Sequence, residues 1–478
     1  MKRIFILEAL AEFEDKKSLP ASRQESQFKL CGWVDARRDH GKLIFIDLKD
    51  KTGVLQIVFN EKEGQTSLNF KLADSLKPND VIEIEGDMKP RPEKMFNSEL
   101  ETGRVEFEVK SLKILSKAET APFDISGDGY EIGEDNRLKF RYLDLRRLRL
   151  QKNLRRRHQV ENFIREHLTK QGFVEVETPI LTKSTPEGAR DYVVPSRLQK
   201  GKFYALPQSP QQYKQLLMVS GLERYFQIVR CFRDEDTRGD RQPEFTQLDI
   251  EMSFVEQEDI LNLTENLFIS LVKNLYPEKK ITQIPWPRLN YQEVMKKYNS
   301  DKPDLRKDKN NPNELAFCWI LEWPLFGWKE NEKRWDPHHH PFTAPRDEDI
   351  PLLDKDPAKI RSWQHDVVLN GYEVGGGSIR IHDPKIQEKV FELVGLKKEE
   401  IWQKFGHMLE AFKYGVPPHG GIAPGIDRLM MILQNEPNIR EVIAFPKTGD
   451  GRDLMMDSPS EISQEQLKEL GLEIKKKK

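Results

Sequence analysis

One charged segment of the chain has the residue types needed to hold a nucleoside triphosphate. The sequence FRDEDTRGDRQPEF covers residues 232–245 and places Arg233 and Glu235 just after an apolar, strand-like run. A second such run, LDIEMSF, follows at 248–254, so the pattern predicts an antiparallel hairpin with polar groups at its tip. The phosphate-binding patterns GxxxxGKS/T and GxGxxG do not occur in the sequence. A phosphate site here would therefore depend on arginine side chains and not on a glycine-rich loop.

Two later segments contain residues that could bind a divalent cation and a second phosphate group. Asp366 and Glu373 lie seven residues apart in DVVLNGYEVGGGSIRIH, so both carboxylates could reach the cation that accompanies ATP. The glycines at 375–377 would let a strand pass close to a ligand, although a structural bulge would explain them equally well. Arg428 begins an apolar helix in GIDRLMMIL. There a helix N-terminus and a guanidinium would together attract a phosphate.

Residues 28–115 are expected to form a separate domain. Five short alternating segments, separated by turn residues, predict a small closed barrel. Barrels of this size often bind single-stranded nucleic acid with aromatic and basic side chains on one face. Arg37, Arg38, Phe45 and Gln56 would suit such a face. A purely structural β-domain is the alternative.

Composition limits the remaining possibilities. The chain has 478 residues, of which 33% are charged, so we expect two to four domains and no membrane-spanning segment. The N-terminal sequence has no apolar core ending in a cleavage site, which favours a cytoplasmic protein. Cys31, Cys231 and Cys318 are too far apart for a CxxC pair and are expected to be reduced.

The polar stretch at 116–145 is expected to be a hinge or linker, and helices alternate with apolar strands from about residue 150 onward. Residues 137–157 contain ten basic side chains and one acid, Asp144. Two interpretations of this stretch are open, a solvated helix face and a phosphate-facing surface.

Taken in order, these segments resemble the motifs of class II aminoacyl-tRNA synthetases. FRDE with its hairpin is similar to motif 2, GIDR to motif 3, and a helix and strand ending at Pro179 to motif 1. The strings that resemble bacterial-type aspartyl-tRNA synthetases in particular are TPEGARDY, ALPQSPQ, RQPEFTQ, HHPFT and NGYEVGGGSIRIH. The resemblance implies an α+β protein: an OB-fold anticodon-binding barrel at 1–115, a hinge at 116–145, and a catalytic antiparallel sheet flanked by helices at 146–478. It also implies a homodimer formed through motif 1.

The resemblance further implies roles for individual residues. For ATP these are Arg233, Glu235, Gln242, Phe245, Glu373, Gly425, Ile426, Asp427 and Arg428. For aspartate they are Glu187, Gln211, Lys214, Arg233, Asp249, His339 and Arg380, with Lys214 and Arg380 on the side-chain carboxylate. For the anticodon they are Arg38, His40, Phe45, Gln56 and Glu106. Asp366 and Glu373 would hold Mg²⁺, and Arg233, Arg428 and Glu373 would be catalytic.

The implied reaction has two steps. Aspartate attacks the α-phosphate of ATP to give aspartyl-adenylate and pyrophosphate, and the adenylate then esterifies the terminal ribose of tRNA(Asp). A lysyl- or asparaginyl-type synthetase shares the architecture, but two cations at 214 and 380 favour an anionic side chain. A free-standing amino-acid ligase would not need the barrel. A noncatalytic RNA-binding paralogue would be expected to have lost Arg233, Arg428 or Glu373, and all three are present.

The chain departs from the family pattern at one place. Bacterial-type members usually insert a further domain, of about a hundred residues, after a segment like SDKPDLR. Here SDKPDLR at 300–306 continues through KDKNNPNE directly into LAFCWILEWPLF, so the insertion is missing near 307–315. Because the flanking strings are intact, we expect the active site to close without it.

A last expectation concerns the choice of tRNA. His40 lies in the loop RRDHG, where the family meets the third anticodon base. A neutral imidazole has one donor and one acceptor nitrogen, which suits both cytosine and uracil. This favours an enzyme that charges tRNA(Asn) as well as tRNA(Asp). The alternatives are that His40 only caps a loop, and that Lys94, which is not the small residue expected of a tolerant enzyme, restricts the choice.

Overall fold

The computed structural model describes residues 2–17, 27–61, 65–185 and 187–475. It divides into two compact units, Met1–Gly129 and Tyr130–Lys478. None of the helices in the described ranges combines the length and the apolar character needed to cross a membrane.

The first unit is a closed five-stranded barrel with strand order β1-β2-β3-β5-β4. Its elements are α1 (Ile6–Lys17), β1 (Gln27–Asp39), β2 (Leu43–Lys49), β3 (Val54–Asn60), α2 (Gln65–Asp74), β4 (Val81–Pro90) and β5 (Val105–Ser116). Every second residue of β2 and β3 is buried, because successive side chains of a strand point to opposite faces. Apolar side chains such as Ile44, Ile46 and Ile57 therefore fill the barrel, and the predicted OB-fold is confirmed.

The second unit contains ten α-helices among its described residues. They are α3 (Glu134–Lys139), α4 (Arg141–Asp144), α5 (Leu148–Lys170), α6 (Gln211–Val219), α7 (Gln257–Leu275), α8 (Tyr291–Tyr298), α9 (Pro384–Leu393), α10 (Lys398–Phe412), α11 (Ile426–Leu433) and α12 (Gln464–Leu470). The strands are β6 (Val174–Glu175), β7 (Val193–Pro195), β8 (Phe203–Ala205), β9 (Arg224–Phe232), β10 (Glu244–Ser253), β11 (Lys280–Ile281), β12 (Arg288–Asn290), β13 (Glu314–Leu315), β14 (Phe317–Leu321), β15 (Phe326–Lys329), β16 (Arg334–Pro337), β17 (Gln364–Leu369), β18 (Tyr372–Ile379) and β19 (His419–Pro424).

Eight of these strands form the central sheet, in the order β12-β14-β17-β18-β19-β10-β9-β6. The five inner pairings are antiparallel, whereas the outermost pairs, β12 with β14 and β6 with β9, are parallel. The predicted antiparallel sheet flanked by helices is confirmed, and the parallel edges are the detail that the sequence pattern did not predict. β9 and β10 form the predicted hairpin, with residues 233–243 at its tip.

Helix α7 shows why a helix covers this sheet. The Asp259 carboxylate accepts a hydrogen bond from the Glu256 backbone N–H at 2.9 Å, which satisfies a donor at the start of the helix. Ile260, Leu267 and Leu271 recur at helical spacing and are fully buried in the main core. The apolar stripe therefore faces the sheet.

The basic stretch is solvated only in part: Lys152 and Arg155 are exposed, whereas the arginines at its start are buried against acids. Asp144 is fully buried and accepts hydrogen bonds from Arg137 at 3.1 Å, Arg141 at 2.7 Å and Arg147 at 2.7 Å. Arg137 also donates to Glu441 at 2.7 Å. These arginines form a buried ion-pair network. The expected hinge at 116–145 differs from the structure for the same reason, since the second unit begins at Tyr130 and includes α3 and α4.

Residues 307–315, where the sequence predicts a missing insertion, lie in a short loop between α8 and β13. The Glu314 carboxylate accepts hydrogen bonds from the backbone N–H groups of Lys307 at 2.9 Å and Asp308 at 3.2 Å. Lys279 donates to the Pro312 carbonyl at 2.8 Å. β13, at which the loop ends, pairs with β11 in a separate two-stranded sheet. These hydrogen bonds and the short strand pair hold the loop in place.

Candidate active site and nucleic-acid-binding face

A cavity of about 310 Å³ lies between the β9–β10 hairpin, β18 and the start of α11. On one wall the Arg233 guanidinium lies over the Phe245 ring, 5.0 Å from its centroid. Nε of Arg233 and Nε2 of Gln242 are buried without a hydrogen-bond partner in the described part of the chain. A buried donor without a partner is costly, so both atoms are suited to an acceptor on a ligand. Glu235, at the tip of the hairpin, also lines the cavity.

Arg428 is held in place on the opposite wall. Its guanidinium donates to the backbone carbonyls of Glu373 at 2.8 Å and Asp240 at 3.2 Å. Gly425 precedes α11, and adding a Cβ there would meet no atom within 4 Å. The Ile426 side chain is fully buried in the core, so any contact of Ile426 with a nucleotide would involve its backbone. The Asp427 carboxylate accepts from the Thr246 backbone N–H and contacts Arg157.

Asp366 and Glu373 form a pair of interacting carboxylates on β17 and β18. Asp366 is buried and accepts from Gln364 Nε2 at 3.2 Å. Burial and the nearby charge of Glu373 raise the pKa of Asp366 well above its ordinary value. Lys302, which the sequence analysis missed, has its Nζ 3.6 Å from Glu373. A divalent cation would relieve the repulsion between the carboxylates, so the pair fits a metal ion.

The described residues contain no cluster of three or more His, Cys, Asp or Glu side chains that could hold a metal alone. Mg²⁺ usually binds through one or two carboxylates, water and substrate phosphates, and Asp366 and Glu373 are ligands of that kind.

Four charged side chains form a second site beside the cavity. Lys214 contacts Asp249 and lies 3.2 Å from Glu251, and Arg380 donates to Glu251 from Nε at 2.9 Å and from Nη2 at 3.0 Å. All four are almost completely buried. Oδ2 of Asp249 has no hydrogen-bond partner in the described ranges. This oxygen is therefore available to accept from a substrate ammonium.

Glu251 was missed by the sequence analysis. It lies two residues after Asp249 on β10, so both carboxylates point to the same face of the sheet. The alternation in LDIEMSF was the signal that could have found it. Burial alone would raise the pKa of Glu251, but Arg380 and Lys214 outweigh burial and lower this pKa to about 2. Glu251 thus stays ionised and neutralises one of the two cations.

Gln211 is the first residue of α6, and Glu187 lies beside this helix. The Glu187 carboxylate accepts from Gln212 Nε2 at 2.6 Å and from Thr185 Oγ1 at 2.9 Å. Gln211 is buried and donates to Gln215 at 3.1 Å. Burial raises the pKa of Glu187 above its ordinary value. Both side chains are thus held by neighbours on or beside α6.

Two adjacent histidines pack against the charged site. The His339 and His340 ring centroids are 4.4 Å apart, and a Cβ on Gly376 would lie 3.0 Å from His339 Cε1. Nη1 of Arg380 lies 2.8 Å from Nε2 of His340. Because a guanidinium only donates, this nitrogen accepts and the His340 ring is neutral. Burial, with His339 and Arg380 nearby, holds the pKa of His340 well below its ordinary value.

The residues expected to contact an anticodon lie together on the outside of the barrel. Arg38 donates two hydrogen bonds to Asp47, both at 2.7 Å, and Gln56 donates to Glu106 at 3.3 Å. The edge of the His40 ring meets Phe45, with centroids 5.5 Å apart. Asp47, on the same face of β2 as Phe45, was not predicted.

Two family models match the chain. Residues 28–115 match an OB-fold nucleic acid binding domain, and residues 133–449 match the class II tRNA synthetases of the D, K and N group. A solved structure has a similar fold over nearly the whole length of the chain. The asparaginyl-tRNA synthetase of Pyrococcus horikoshii, complexed with asparaginyl-adenylate, superposes with a TM-score of 0.74 at 21% identity, covering 94% of this chain and 98% of that one.

Curated relatives are similar over nearly their full length. The aspartate–tRNA(Asp/Asn) ligase of Rubrobacter xylanophilus is 43% identical over 95% of this chain and 96% of its own. The aspartate–tRNA ligase of Staphylococcus haemolyticus is 41% identical over 93% and 96%. The first of these alignments extends over 579 positions, more than the 478 residues present here, so that relative has residues without a counterpart in this chain. The chain belongs to the class II aminoacyl-tRNA synthetases, and within them to the aspartate–tRNA ligases.

Proposed function

We propose that this enzyme activates L-aspartate with ATP and transfers the aspartyl group to the 3′ end of tRNA(Asp). The observation that carries the proposal is the buried pair of cations, Lys214 and Arg380, beside a cavity lined by Arg233, Phe245 and Arg428. An anionic side chain entering between two cations recovers part of the cost of burying them. An asparagine amide would instead direct N–H donors at groups that can only donate.

The chemistry proposed for the site is positioning and charge stabilisation. Arg233 and Arg428 orient the triphosphate, Phe245 stacks on the adenine, and Asp249 accepts from the amino group so that a substrate carboxylate oxygen faces the α-phosphate. Bound with ATP at Asp366 and Glu373, Mg²⁺ would neutralise charge on the phosphates. Neither step requires a nucleophile from the protein.

Pyrophosphate exchange tests the substrate assignment. With ATP and Mg²⁺ present, we expect aspartate alone among the twenty common amino acids to support exchange well above background. Exchange driven by asparagine or lysine in place of aspartate would contradict the assignment. A chain that binds ATP but exchanges with no amino acid would contradict the proposed activity as a whole.

We further propose that the enzyme charges tRNA(Asn) as well as tRNA(Asp). The relative from Rubrobacter xylanophilus is named for both tRNAs, and His40 is exposed beside Phe45 on the barrel. Purified tRNA(Asn) should therefore accept aspartate. No incorporation above background, at enzyme concentrations that saturate tRNA(Asp), would contradict this proposal.

We also propose a cytoplasmic homodimer that associates through α5 and the segment that follows it. β6 is an edge strand of the large sheet, and it exposes Val174. Ile180 and Leu181, a few residues further on, are also about half exposed. An exposed edge with apolar neighbours is a surface that association would cover.

A further inference from the structure

Asp427 lines the nucleotide cavity, but its carboxylate is occupied by the protein. One oxygen accepts from the backbone N–H of Thr246 at 2.9 Å, and the other contacts a guanidinium Nη1 of Arg157. The side chain is only 3% exposed. Asp427 therefore joins β10, the helix α11 and the helix α5 at the wall of the cavity.

Asp427 is linked to two residues that line the cavity, Phe245 and Arg428. Thr246 directly follows Phe245, whose ring lies under the Arg233 guanidinium. Arg428 directly follows Asp427 and faces the same cavity. A shift of the Asp427 carboxylate would therefore move both the proposed adenine platform and the proposed phosphate ligand.

Arg157 is well placed to hold this carboxylate. It is on α5, its side chain is 16% exposed, and Nε donates to Glu161 at 2.9 Å. Within the described ranges, Arg157 provides the one ion pair that Asp427 makes. Arg428, the other nearby guanidinium, is paired with Asp240 and Glu373 instead.

We propose that Arg157 is a positioning residue for ATP, which acts by neutralising and orienting Asp427. Without this cation, a buried negative charge would face the triphosphate and compete for Arg428. The inference rests on the proposed use of ATP. It assigns a role in nucleotide binding to a residue of α5 that makes no contact with the nucleotide itself.

The alternative is that Arg157 only docks α5 against α11. The two roles differ in what removal of both charges does. If Arg157 cancels the charge of Asp427, an Asp427→Asn change should repair an Arg157→Gln enzyme, because no negative charge is then left uncovered. If Arg157 only docks the helix, the second change removes one more contact and repairs nothing.

Calorimetric titration of the full chain with Mg²⁺–ATP tests this. We expect Arg157→Gln to weaken ATP binding about tenfold or more, with less than about a twofold change in the KM for aspartate in pyrophosphate exchange. Arg157→Gln/Asp427→Asn should regain most of the ATP affinity. The matched control is Arg197→Gln, where the arginine pairs with Glu469 on the surface and ATP binding should not change.

Two outcomes would overturn the proposal: a double variant that binds ATP no better than Arg157→Gln, or parallel losses for ATP and aspartate. If Arg157→Gln does not fold, judged by circular dichroism, Arg157→Lys takes its place. This variant keeps the cation and should bind ATP within about threefold of the wild type, whereas a tenfold loss would contradict the charge argument. Because calorimetry measures ATP binding alone, a wrong assignment of the amino acid would leave the comparison of Arg157→Gln with the double variant intact.

Discussion

At the scale of single residues, most of the donors of Arg380 are already in use. A guanidinium has five N–H groups, and Glu251, Ser378 and His340 account for four of them. Nε and Nη2 of Arg380 therefore bind Glu251, and a substrate carboxylate would meet the remaining N–H and the positive charge. Arg380 depends on Glu251 for its orientation.

Arg380→Lys should strongly reduce the use of aspartate. Lysine cannot reproduce the double hydrogen bond to Glu251, and each charged hydrogen bond contributes about 1.5–3 kcal/mol. In pyrophosphate exchange we expect a large rise in the aspartate KM with little change for ATP. Arg334→Lys, at a surface pair with Glu332, is the control. An aspartate KM near that of the wild type would falsify the assignment of Arg380.

His419 should make stability depend on pH. It is fully buried at the start of β19, and burial lowers its pKa to about 4. Between about pH 6.5 and 4, the His419 imidazole is protonated in the unfolded state but stays neutral in the folded state. The free energy of unfolding should therefore fall as the pH falls through this window. The contribution is at most roughly 3 kcal/mol. Urea titrations of wild type and His419→Gln should differ in this pH slope, and identical slopes would contradict the prediction.

At the scale of elements, the network around Asp144 anchors α3, α4 and the start of α5 to the loop after α11. Asp144 holds three arginines, and Glu441 joins Arg137 to Arg149. Removing one partner from such a network leaves buried charges without compensation. The four arginines thus contribute to folding only while their acids are present.

Asp144→Asn should therefore lower the free energy of unfolding of the catalytic unit by about 3–5 kcal/mol. The matched control is Asp354→Asn, which removes an exposed pair with Lys389 and should change stability by less than about 1 kcal/mol. Urea unfolding followed by circular dichroism measures both. A loss no larger than that of the control would mean that the arginines are solvated after all.

A separate prediction concerns the outer face of the barrel. Phe45→Ala should weaken aminoacylation, because stacking of a base on an aromatic ring contributes about 1–3 kcal/mol. Pyrophosphate exchange should stay unchanged, since it does not involve tRNA. Leu115→Ala, at another exposed apolar position of the same unit, is the control. Equal losses in exchange and aminoacylation would mean that the barrel is only structural.

At the scale of the whole molecule, the proposed homodimer can be tested at the exposed segment after β6. Ile180→Glu places a charge on the surface that association would cover, so sedimentation should show monomers at concentrations where the wild type is dimeric. Tyr414→Glu, at a position 80% exposed, is the control and should not change the mass. A wild-type monomer, or a dimer that tolerates Ile180→Glu, would contradict the proposed interface.

The sequence by itself determined the family, the barrel and the residue types of the candidate site. Motifs such as FRDE and GIDR combine rare residue types at set spacings, and the alternation of β2 and β3 shows which residues point into the barrel. A deletion near 307–315 is likewise predicted from the sequence, because the flanking strings are intact. These features are local along the chain, and local spacing is what a sequence displays directly.

Only the tertiary structure decided which charges are paired. The spacing of residues 137–157 could not distinguish a solvated face from a buried network, because Glu436 and Glu441 lie about 300 positions away. For the same reason Glu251 and Arg157 were not predicted as parts of the site, and the contacts of Asp427 were unknown. Whether a charge is solvated, bound to a ligand or buried with a partner depends on groups that folding brings together from distant parts of the chain.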